Sequence, residues 1–456
     1  MDLDADACYR ALKTRDARFD GRFFTAVTST GIYCRPICPA RTPSRANCRF
    51  FSCAAAAQEA GFRPCLRCRP EVAPGLPAWN GTSTTIARAL RLIAEGAMDG
   101  GSVEQLAGRL GIGGRHLRRL FDEQLGASPV AIAVSRRFLF AKKLLAETAL
   151  PISDIAFAAG FSSVRRFNDA MRLAYGRAPR DLRARASPVS GGRIELTLPF
   201  RPPYNWKALA AFLAPRAIPG VEEINADRYR RNLPGGFVEV RPAGQQPHLL
   251  ATFELENVRD LANLAGRLQA LFDTGAPILD IEQQLVQSQR LRETVARQSG
   301  LRVPGAWDPF ELTVRAVLGQ QVTVKGATTL AGRLVESFGA KTAGGFLFPS
   351  PRALAAANIA SIGLPRTRAE TLRAVAEAFD SGNPPETAGA LRKLPGIGDW
   401  TAQYVAMRAF SEPDAFPATD LGLIKAAGRD VAKLAEQWRP WRAYAAMHLW
   451  MEHSND

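Results

Sequence analysis

The fold of the N-terminal region is set by the stretch TGIYCRPIC, residues 30–38, together with AGFRPCLRC, residues 60–68. The two stretches place four cysteines in CxxxC and CxxC spacings: Cys34, Cys38, Cys65 and Cys68. Two close pairs separated by a loop suit a tetrahedral site, because each pair supplies two sulfurs from one turn. We therefore predict a Zn²⁺ site. Zinc that only holds a small domain together is the alternative, and an anonymous pattern of this kind leaves it open.

The residues around these cysteines carry a further signal. With DARFDG at residues 16–21, they closely resemble the N-terminal methyl-acceptor domain of Ada regulators, which repair methyl phosphotriesters in DNA. The resemblance implies that all four sulfurs bind zinc and that Cys34 is also the nucleophile. A metal-held thiolate can displace an alkyl carbon from a phosphotriester. Methylation removes one negative charge from the cluster, so repulsion of DNA phosphate falls and repair can act as a switch.

Composition limits the remaining possibilities. The 456 residues have room for about three or four domains. All 7 cysteines lie within the first 68 residues, which favours reduced thiols and a metal over a disulfide framework. We expect Cys8, Cys48 and Cys53 to be ordinary thiols.

No apolar run could span a membrane, and the start lacks the features of a secretory signal, so we expect a cytoplasmic bacterial protein. The net charge of +16 lies mostly in residues 1–190, which favours a polyanionic partner.

A tandem helix-turn-helix pattern follows a Pro- and Gly-rich linker over residues 70–81. Ser102 caps a helix that ends at Gly111, and a long helix over about 129–148 leads to a second copy that closes with GRAP at 176–179. The pattern resembles the DNA-binding domain of AraC-type regulators over about residues 83–183. The apolar positions that we assign to the core are Leu106, Leu120, Ile155, Ala156, Phe161 and Phe167. The candidates for groove and phosphate contact, each of which alone could be a solvated surface residue, are Arg115, His116, Arg118, Arg119, Ser162, Ser163, Arg165 and Arg166.

A second linker at 186–192 precedes a small α+β region. Alternating residues predict strands at 194–198, 237–241 and 249–255, with helices near 206–214 and 258–272. The run PFRPPYNW, residues 199–206, resembles the start of the inducible 3-methyladenine DNA glycosylases. The remainder is helical, and we predict helices at 281–299, 309–318, 323–337 and 368–379.

The stretch LPGIGDWTAQY, residues 394–404, resembles a helix-hairpin-helix, in which Gly396 and Gly398 let backbone amides bind a DNA phosphate. FPATD at 416–420 resembles the turn before the catalytic aspartate of that glycosylase superfamily, which assigns catalysis to Asp420; a helix N-cap is the alternative. The resemblance places Trp400, Tyr404 and Trp450 in the base pocket. The other interpretation of these aromatic residues is core packing, which we expect for Trp438 and Trp441.

An alkylated base is electron-poor and a good leaving group, so aromatic faces attract it and a carboxylate stabilises the developing sugar cation. Members that also cleave the strand have Lys where this chain has Trp400, so no lyase step is expected. An iron–sulfur cluster in this half is excluded, since no cysteine follows Cys68. The segment 317–322 matches the loop that fills the gap left by the flipped base, but Gln321 stands where the best-known member has leucine.

We predict a multidomain, mainly α protein with α+β parts. The expected domains are a zinc methyl-acceptor domain at 1–72, a tandem helix-turn-helix domain at 83–185, an α+β domain at 193–274 and a helical glycosylase domain at 275–456. The predicted function is excision of alkylated bases such as 3-methyladenine and 7-methylguanine, combined with a methylation-sensing regulator. The alternative is a pure regulator whose C-terminal domain only binds DNA. Alkylated and promoter duplex DNA are the expected partners, RNA polymerase is a further candidate, and we expect a monomer without a membrane partner.

Overall fold

The computed structural model describes residues 4–75, 84–183 and 193–453. The second predicted linker, at 186–192, lies outside these residues, as does the part of the first from 76 to 81. Within the described ranges, no helix combines the length and the apolar character needed to cross a bilayer.

The cysteine-bearing region is a small sheet with two helices packed on it. Its helices are α1 (Ala5–Thr14) and α2 (Ala54–Glu59), and its strands are β1 (Phe24–Val27), β2 (Ile32–Cys34), β3 (Cys48–Phe51) and β4 (Arg63–Pro64). The strand order is β3-β1-β2-β4. β1 pairs antiparallel with β2 and β3, whereas β2 and β4 run parallel with Tyr33 opposite Pro64. Because Cys34 and Cys65 each come directly after these opposed residues, the parallel pairing brings both cysteine pairs to one sheet edge.

The second region is all helical. Its helices are α3 (Thr84–Ala94), α4 (Val103–Leu110), α5 (Gly114–Leu125), α6 (Pro129–Glu147), α7 (Ile152–Ala158), α8 (Val164–Tyr175) and α9 (Pro179–Leu182). Ser102 forms a complete capping box with Gln105, and Gly111 ends α4 in the left-handed conformation. Of the predicted core residues, Leu106, Ile155, Ala156 and Phe167 are buried. Leu120 and Phe161 are only half-buried and pack against the edge of the core.

The third region is a five-stranded antiparallel sheet in the order β5-β9-β8-β7-β6. Its elements are β5 (Ile194–Pro199), α10 (Trp206–Leu213), β6 (Glu222–Ile224), β7 (Tyr229–Leu233), β8 (Gly236–Pro242), β9 (His248–Leu255) and α11 (Leu261–Leu271). Along β5, buried residues alternate with half-buried ones, as the sequence pattern predicts.

The remaining region is helical except for a two-stranded ribbon. Its elements are α12 (Ile278–Leu285), α13 (Arg292–Arg297), α14 (Pro309–Leu318), α15 (Val324–Phe338), β10 (Lys341–Thr342), β11 (Gly345–Phe346), α16 (Pro351–Ala355), α17 (Arg366–Asp380), α18 (Ala388–Leu391), α19 (Asp399–Arg408), α20 (Leu421–Ala427), α21 (Val431–Leu434) and α22 (Arg442–His453). The single helix predicted over 281–299 is wrong. The chain turns between α12 and α13, where the Ser288 hydroxyl accepts a hydrogen bond from the buried Trp438 indole at 3.0 Å.

A buried carboxylate joins the helix-turn-helix region to the helix-hairpin-helix. Glu386, just before α18, has a side chain only 7% exposed and lies against guanidinium groups of α3 and α4. Its Oε1 accepts from Arg109 Nε at 3.0 Å, and its Oε2 lies 3.7 Å and 3.9 Å from the Arg91 and Arg88 Nη2 atoms. The helices α3 and α4 and the start of α18 therefore share an interface that these ion pairs stabilise.

We expect Glu386→Gln to destabilise this interface, because it removes the buried carboxylate that pairs with Arg88 and Arg109, while Arg91 keeps its pair with Glu95. Loss of one partner from a buried ion pair costs about 3 kcal/mol. The matched control is Glu370→Gln, which removes an exposed pair with Arg366 and should change stability by less than about 1 kcal/mol. Urea unfolding followed by tryptophan fluorescence measures both. Equal effects of the two substitutions would contradict the prediction.

Asp273 introduces a pH-dependent contribution to stability. Burial raises the pKa of its carboxyl from 3.8 to about 6, although Arg302 and a hydrogen bond from Tyr444 oppose the shift. A carboxyl with a higher pKa in the folded protein binds more protons there, so the free energy of unfolding falls as pH rises from 3.8 to about 6 and stays low above it.

We expect Asp273→Asn to abolish this fall in the free energy of unfolding and to stabilise the protein by about 3 kcal/mol above pH 6. The neutral amide also suits the left-handed backbone at this position, where φ is 46°. Below the ordinary aspartate pKa the two proteins should be equally stable. Urea unfolding across this pH range tests the prediction, and parallel pH curves for wild type and variant would contradict it.

Candidate metal centre and base pocket

The four predicted metal ligands converge. One sulfur from each of Cys34, Cys38, Cys65 and Cys68 lies within 4.8 Å of all the others. Cys38, Cys65 and Cys68 are buried, whereas Cys34 is partly exposed. Four sulfurs at such separations suit one tetrahedral Zn²⁺, and only the first of them is open to a reactant.

Arg35 forms hydrogen bonds that connect the first cysteine pair to Cys68 and Asp20. Its backbone amide donates to the Cys68 sulfur at 3.3 Å, and its buried side chain donates to the Cys68 carbonyl at 3.0 Å and to both Asp20 oxygens. This network fixes the loop between the first two ligands. The remaining thiols lie outside the cluster, and burial raises the pKa of Cys8 and of Cys53 to about 11. Burial also raises the pKa of Cys48, so these three thiols are poor nucleophiles.

Asp420 lies at the centre of the second site. As the N-cap of α20, its Oδ1 accepts from the Leu423 amide at 3.0 Å. The same oxygen accepts from the Trp450 indole at 2.9 Å, and Oδ2 accepts from the Trp400 indole at 2.8 Å. Gly422 makes room for this contact, since a Cβ there would lie 3.3 Å from the Trp450 ring. The carboxylate is thus both a helix cap and an anchored part of an aromatic site.

The three predicted pocket rings meet around this carboxylate. Trp400 and Tyr404 are stacked with centroids 5.1 Å apart and planes within 7°, and Trp450 meets Tyr404 edge to face at 6.2 Å. All three are half-buried, whereas Trp438 and Trp441 are buried in the core as expected. The arrangement can hold a planar, electron-poor ring close to a fixed negative charge.

Two arginines behind these rings were not singled out from the sequence. The Tyr404 hydroxyl accepts from Arg408 Nη1 at 2.6 Å and also faces the guanidinium of Arg216. Burial raises the pKa of the Tyr404 phenol, but Arg408, Arg216 and Arg315 outweigh burial, so the pKa lies below its ordinary value. Arg408 ends α19, one helical turn after Tyr404, and this spacing of four residues was the available signal.

The predicted hairpin is exposed beside the pocket. Gly396 has φ of 77°, and a Cβ there would lie 2.0 Å from the Thr371 hydroxyl, so only glycine fits. Gly398 is the N-cap of α19 and faces open space. Gln320 belongs to the segment 317–322, which matches the loop that fills the gap left by a flipped base. Its side-chain amide donates to the Gly396 carbonyl and the Thr401 hydroxyl, each at 3.1 Å. Gln321 itself is exposed with φ of 57°.

The predicted contacts of the helix-turn-helix region lie on α5 and at the start of α8. Arg115, His116, Arg118, Arg119, Ser162, Arg165 and Arg166 are exposed, and Ser163 is half-buried. Ser163 caps α8 by accepting from the Arg166 amide at 3.2 Å. Arg118 pairs with Glu104 at 2.7 Å, and Arg119 contacts His116 at 3.0 Å. The structure therefore places the predicted contact residues at or near the surface of both helix-turn-helix units.

Family models match four parts of the chain. They are the metal binding domain of Ada at residues 7–71, a helix-turn-helix domain at 106–185, the AlkA N-terminal domain at 195–308 and the HhH-GPD superfamily of base excision DNA repair proteins at 314–439. The fold is also similar to that of a 3-methyladenine DNA glycosylase from Archaeoglobus fulgidus, with a TM-score of 0.50 and 21% identity over 58% of this chain and 98% of that one.

Together the fold, the two sites and these matches define a DNA repair protein fused to a regulator, as the sequence resemblances indicate. The chain is 42% identical to a probable bifunctional transcriptional activator/DNA repair enzyme AlkA of Mycobacterium tuberculosis, over 99% of this chain and 98% of the relative. It is 36% identical to DNA-3-methyladenine glycosylase 2 of Escherichia coli over 56% of this chain and 96% of that protein. The chain belongs to the family of bifunctional transcriptional activator/DNA repair enzymes AlkA.

Proposed function

We propose that the C-terminal half excises alkylated bases of the 3-methyladenine and 7-methylguanine type from duplex DNA. The observation that carries the proposal is the double indole anchor of Asp420 beside stacked rings. The C1′–N bond of the flipped nucleotide breaks, and its electron pair goes to the base. Water adds hydroxide to C1′ and releases a proton, while Asp420 stabilises the sugar cation. Trp400, Tyr404 and Trp450 hold the base.

The hairpin amides near Gly396 and Gly398 bind backbone phosphate, and Gln321 fills the gap left by the flipped base. The test is release of free base from duplexes that contain each alkylated purine. Absence of release by the folded wild-type chain would favour the alternative, a regulator whose C-terminal domain only binds DNA.

We further propose that Cys34 accepts methyl groups from DNA phosphotriesters. The supporting observation is that Cys34 is the one partly exposed member of the sulfur cluster. Bound Zn²⁺ keeps the sulfurs deprotonated. The Cys34 sulfur attacks the methyl carbon, the C–O bond breaks, and its electrons pass to phosphate, which leaves a diester and a thioether.

The methylated protein then binds promoter DNA more tightly through the helix-turn-helix region. Arg115, His116, Arg118 and Arg119 of the first unit, with Ser162, Ser163, Arg165 and Arg166 of the second, contact phosphates and bases. We place the protein in the bacterial cytoplasm as a monomer that can engage RNA polymerase at the promoter. Promoter affinity before and after methylation tests the switch, and unchanged affinity would contradict it.

A further inference from the structure

The arginines behind the pocket are fixed without acidic partners. Arg408 is 4% exposed and donates through Nε and Nη2 to the carbonyls of Pro304 and Gly305 at 2.8 Å and 3.0 Å. Its third contact is the Tyr404 hydroxyl. Arg216 donates to the Phe212 carbonyl at 2.7 Å, and its guanidinium carbon lies 3.9 Å from that ring centroid. Among the described residues, neither guanidinium forms an ion pair.

These positive charges contact Tyr404 and Phe212, whereas Asp420 contacts the indole nitrogens of Trp400 and Trp450. The Arg408 guanidinium carbon lies 5.4 Å from the Tyr404 ring centroid and 5.3 Å from that of Phe212. Phe212 in turn stacks on Trp450 at 6.1 Å. Arg315, which also lies near Tyr404, is neutralised by Glu222 and Glu311. Guanidinium charge without an acidic partner thus lies at the Tyr404 hydroxyl and the Phe212 ring, and fixed negative charge lies at the two indole nitrogens.

We propose that Arg408, assisted by Arg216, is a positioning residue that promotes departure of the base through the Tyr404 hydroxyl. The inference rests on the proposed excision reaction. When the bond between C1′ and a cationic base breaks, the electron pair goes to the base and positive charge moves to the sugar. Guanidinium charge at the ring that holds the base and carboxylate charge near the sugar both favour this displacement. A neutral base gains negative charge as it leaves, which the same arginines stabilise.

Arg408 also decides where the Tyr404 proton points. Because the phenol oxygen accepts from Arg408 and faces Arg216, its own proton is left to donate away from both guanidiniums. A donor there can bind an acceptor atom of the departing base. Arg408 therefore sets both the orientation of the Tyr404 hydroxyl and the positive electrostatic potential around it.

The test compares Arg408→Met, Tyr404→Phe and the double variant with wild type on a duplex that contains 7-methylguanine. Single-turnover rates at saturation should fall about tenfold in each single variant, which is about 1.4 kcal/mol of barrier, and the double variant should lose little more. Affinity for a duplex with a tetrahydrofuran abasic analogue should stay within about twofold, because the arginines act on the leaving base.

Arg290→Met is the matched control, since Arg290 donates to the Ala426 carbonyl at 2.6 Å and pairs with Glu452 in the same helical region. Its rate should equal that of wild type. Unchanged rates in Arg408→Met, or an equal loss in Arg290→Met, would overturn the inference while leaving excision intact. If Arg408→Met does not fold, Tyr404→Phe decides, because an unchanged rate there removes the hydroxyl from the mechanism. Failure of the wild type to release base would instead refute the proposed function.

Discussion

Asp420→Asn is expected to slow release of 3-methyladenine about 10²- to 10³-fold or more, because it removes the fixed charge that stabilises the sugar cation. Asparagine keeps an oxygen that can cap α20, so the helix should remain intact. It also replaces one acceptor oxygen by an amide group, which cannot accept the hydrogen bond from an indole. The loss should appear in the single-turnover rate, while affinity for abasic-site duplex should change little.

The structure offers a control of the same residue type. Asp308 caps α14 by accepting from the amides of Phe310 and Glu311 at 2.9 Å and 3.2 Å, and it does not contact the aromatic pocket. Asp308→Asn should leave the excision rate within about twofold. If Asp420→Asn and Asp308→Asn release base at the same rate as wild type, Asp420 is only a helix cap and the catalytic assignment fails.

Cys34→Ala should abolish methyl acceptance completely, because the nucleophile is removed and the other three sulfurs of the cluster are buried. Wild-type protein exposed to methylphosphotriester DNA should gain one methyl group, on the peptide that contains Cys34. Intact-mass and peptide mass spectrometry measure both outcomes. The substitution should not change base excision, since the aromatic pocket lies in another region of the fold.

Cys48→Ser is the matched control. Cys48 lies in β3 outside the cluster, and its thiol donates to the Ser44 carbonyl at 3.3 Å, a hydrogen bond that serine can also make. This variant should accept one methyl group as wild type does. A methyl group on Cys38, Cys65 or Cys68 would move the nucleophile to another ligand. No methyl group on wild-type protein would leave zinc with a structural role alone.

Helices whose ends are determined by capping residues nearby in the sequence were predicted correctly. Ser102 caps the start of α4 and Gly111 ends it, because a capping side chain and a left-handed glycine each act within one helical turn. The same holds for α14, which begins at Pro309 after its aspartate cap. The short strands β6 and β7 were missed, since their stability comes from pairing with residues elsewhere in the sheet. The turn at Ser288 was missed because its partner, Trp438, is distant in sequence.

The sequence by itself determined the chemistry available to this protein: two cysteine pairs, a glycine hairpin, an aspartate before a helix and the aromatic residues near it. Only the tertiary structure decided how these groups meet. Parallel pairing of β2 with β4 gathers the sulfurs, indoles from α19 and α22 anchor one carboxylate, and arginines approach Tyr404 from two helical regions. The physical reason is that spacing along the chain specifies neighbours within one turn or strand, whereas packing of distant elements sets the directions of side chains and the charges around them.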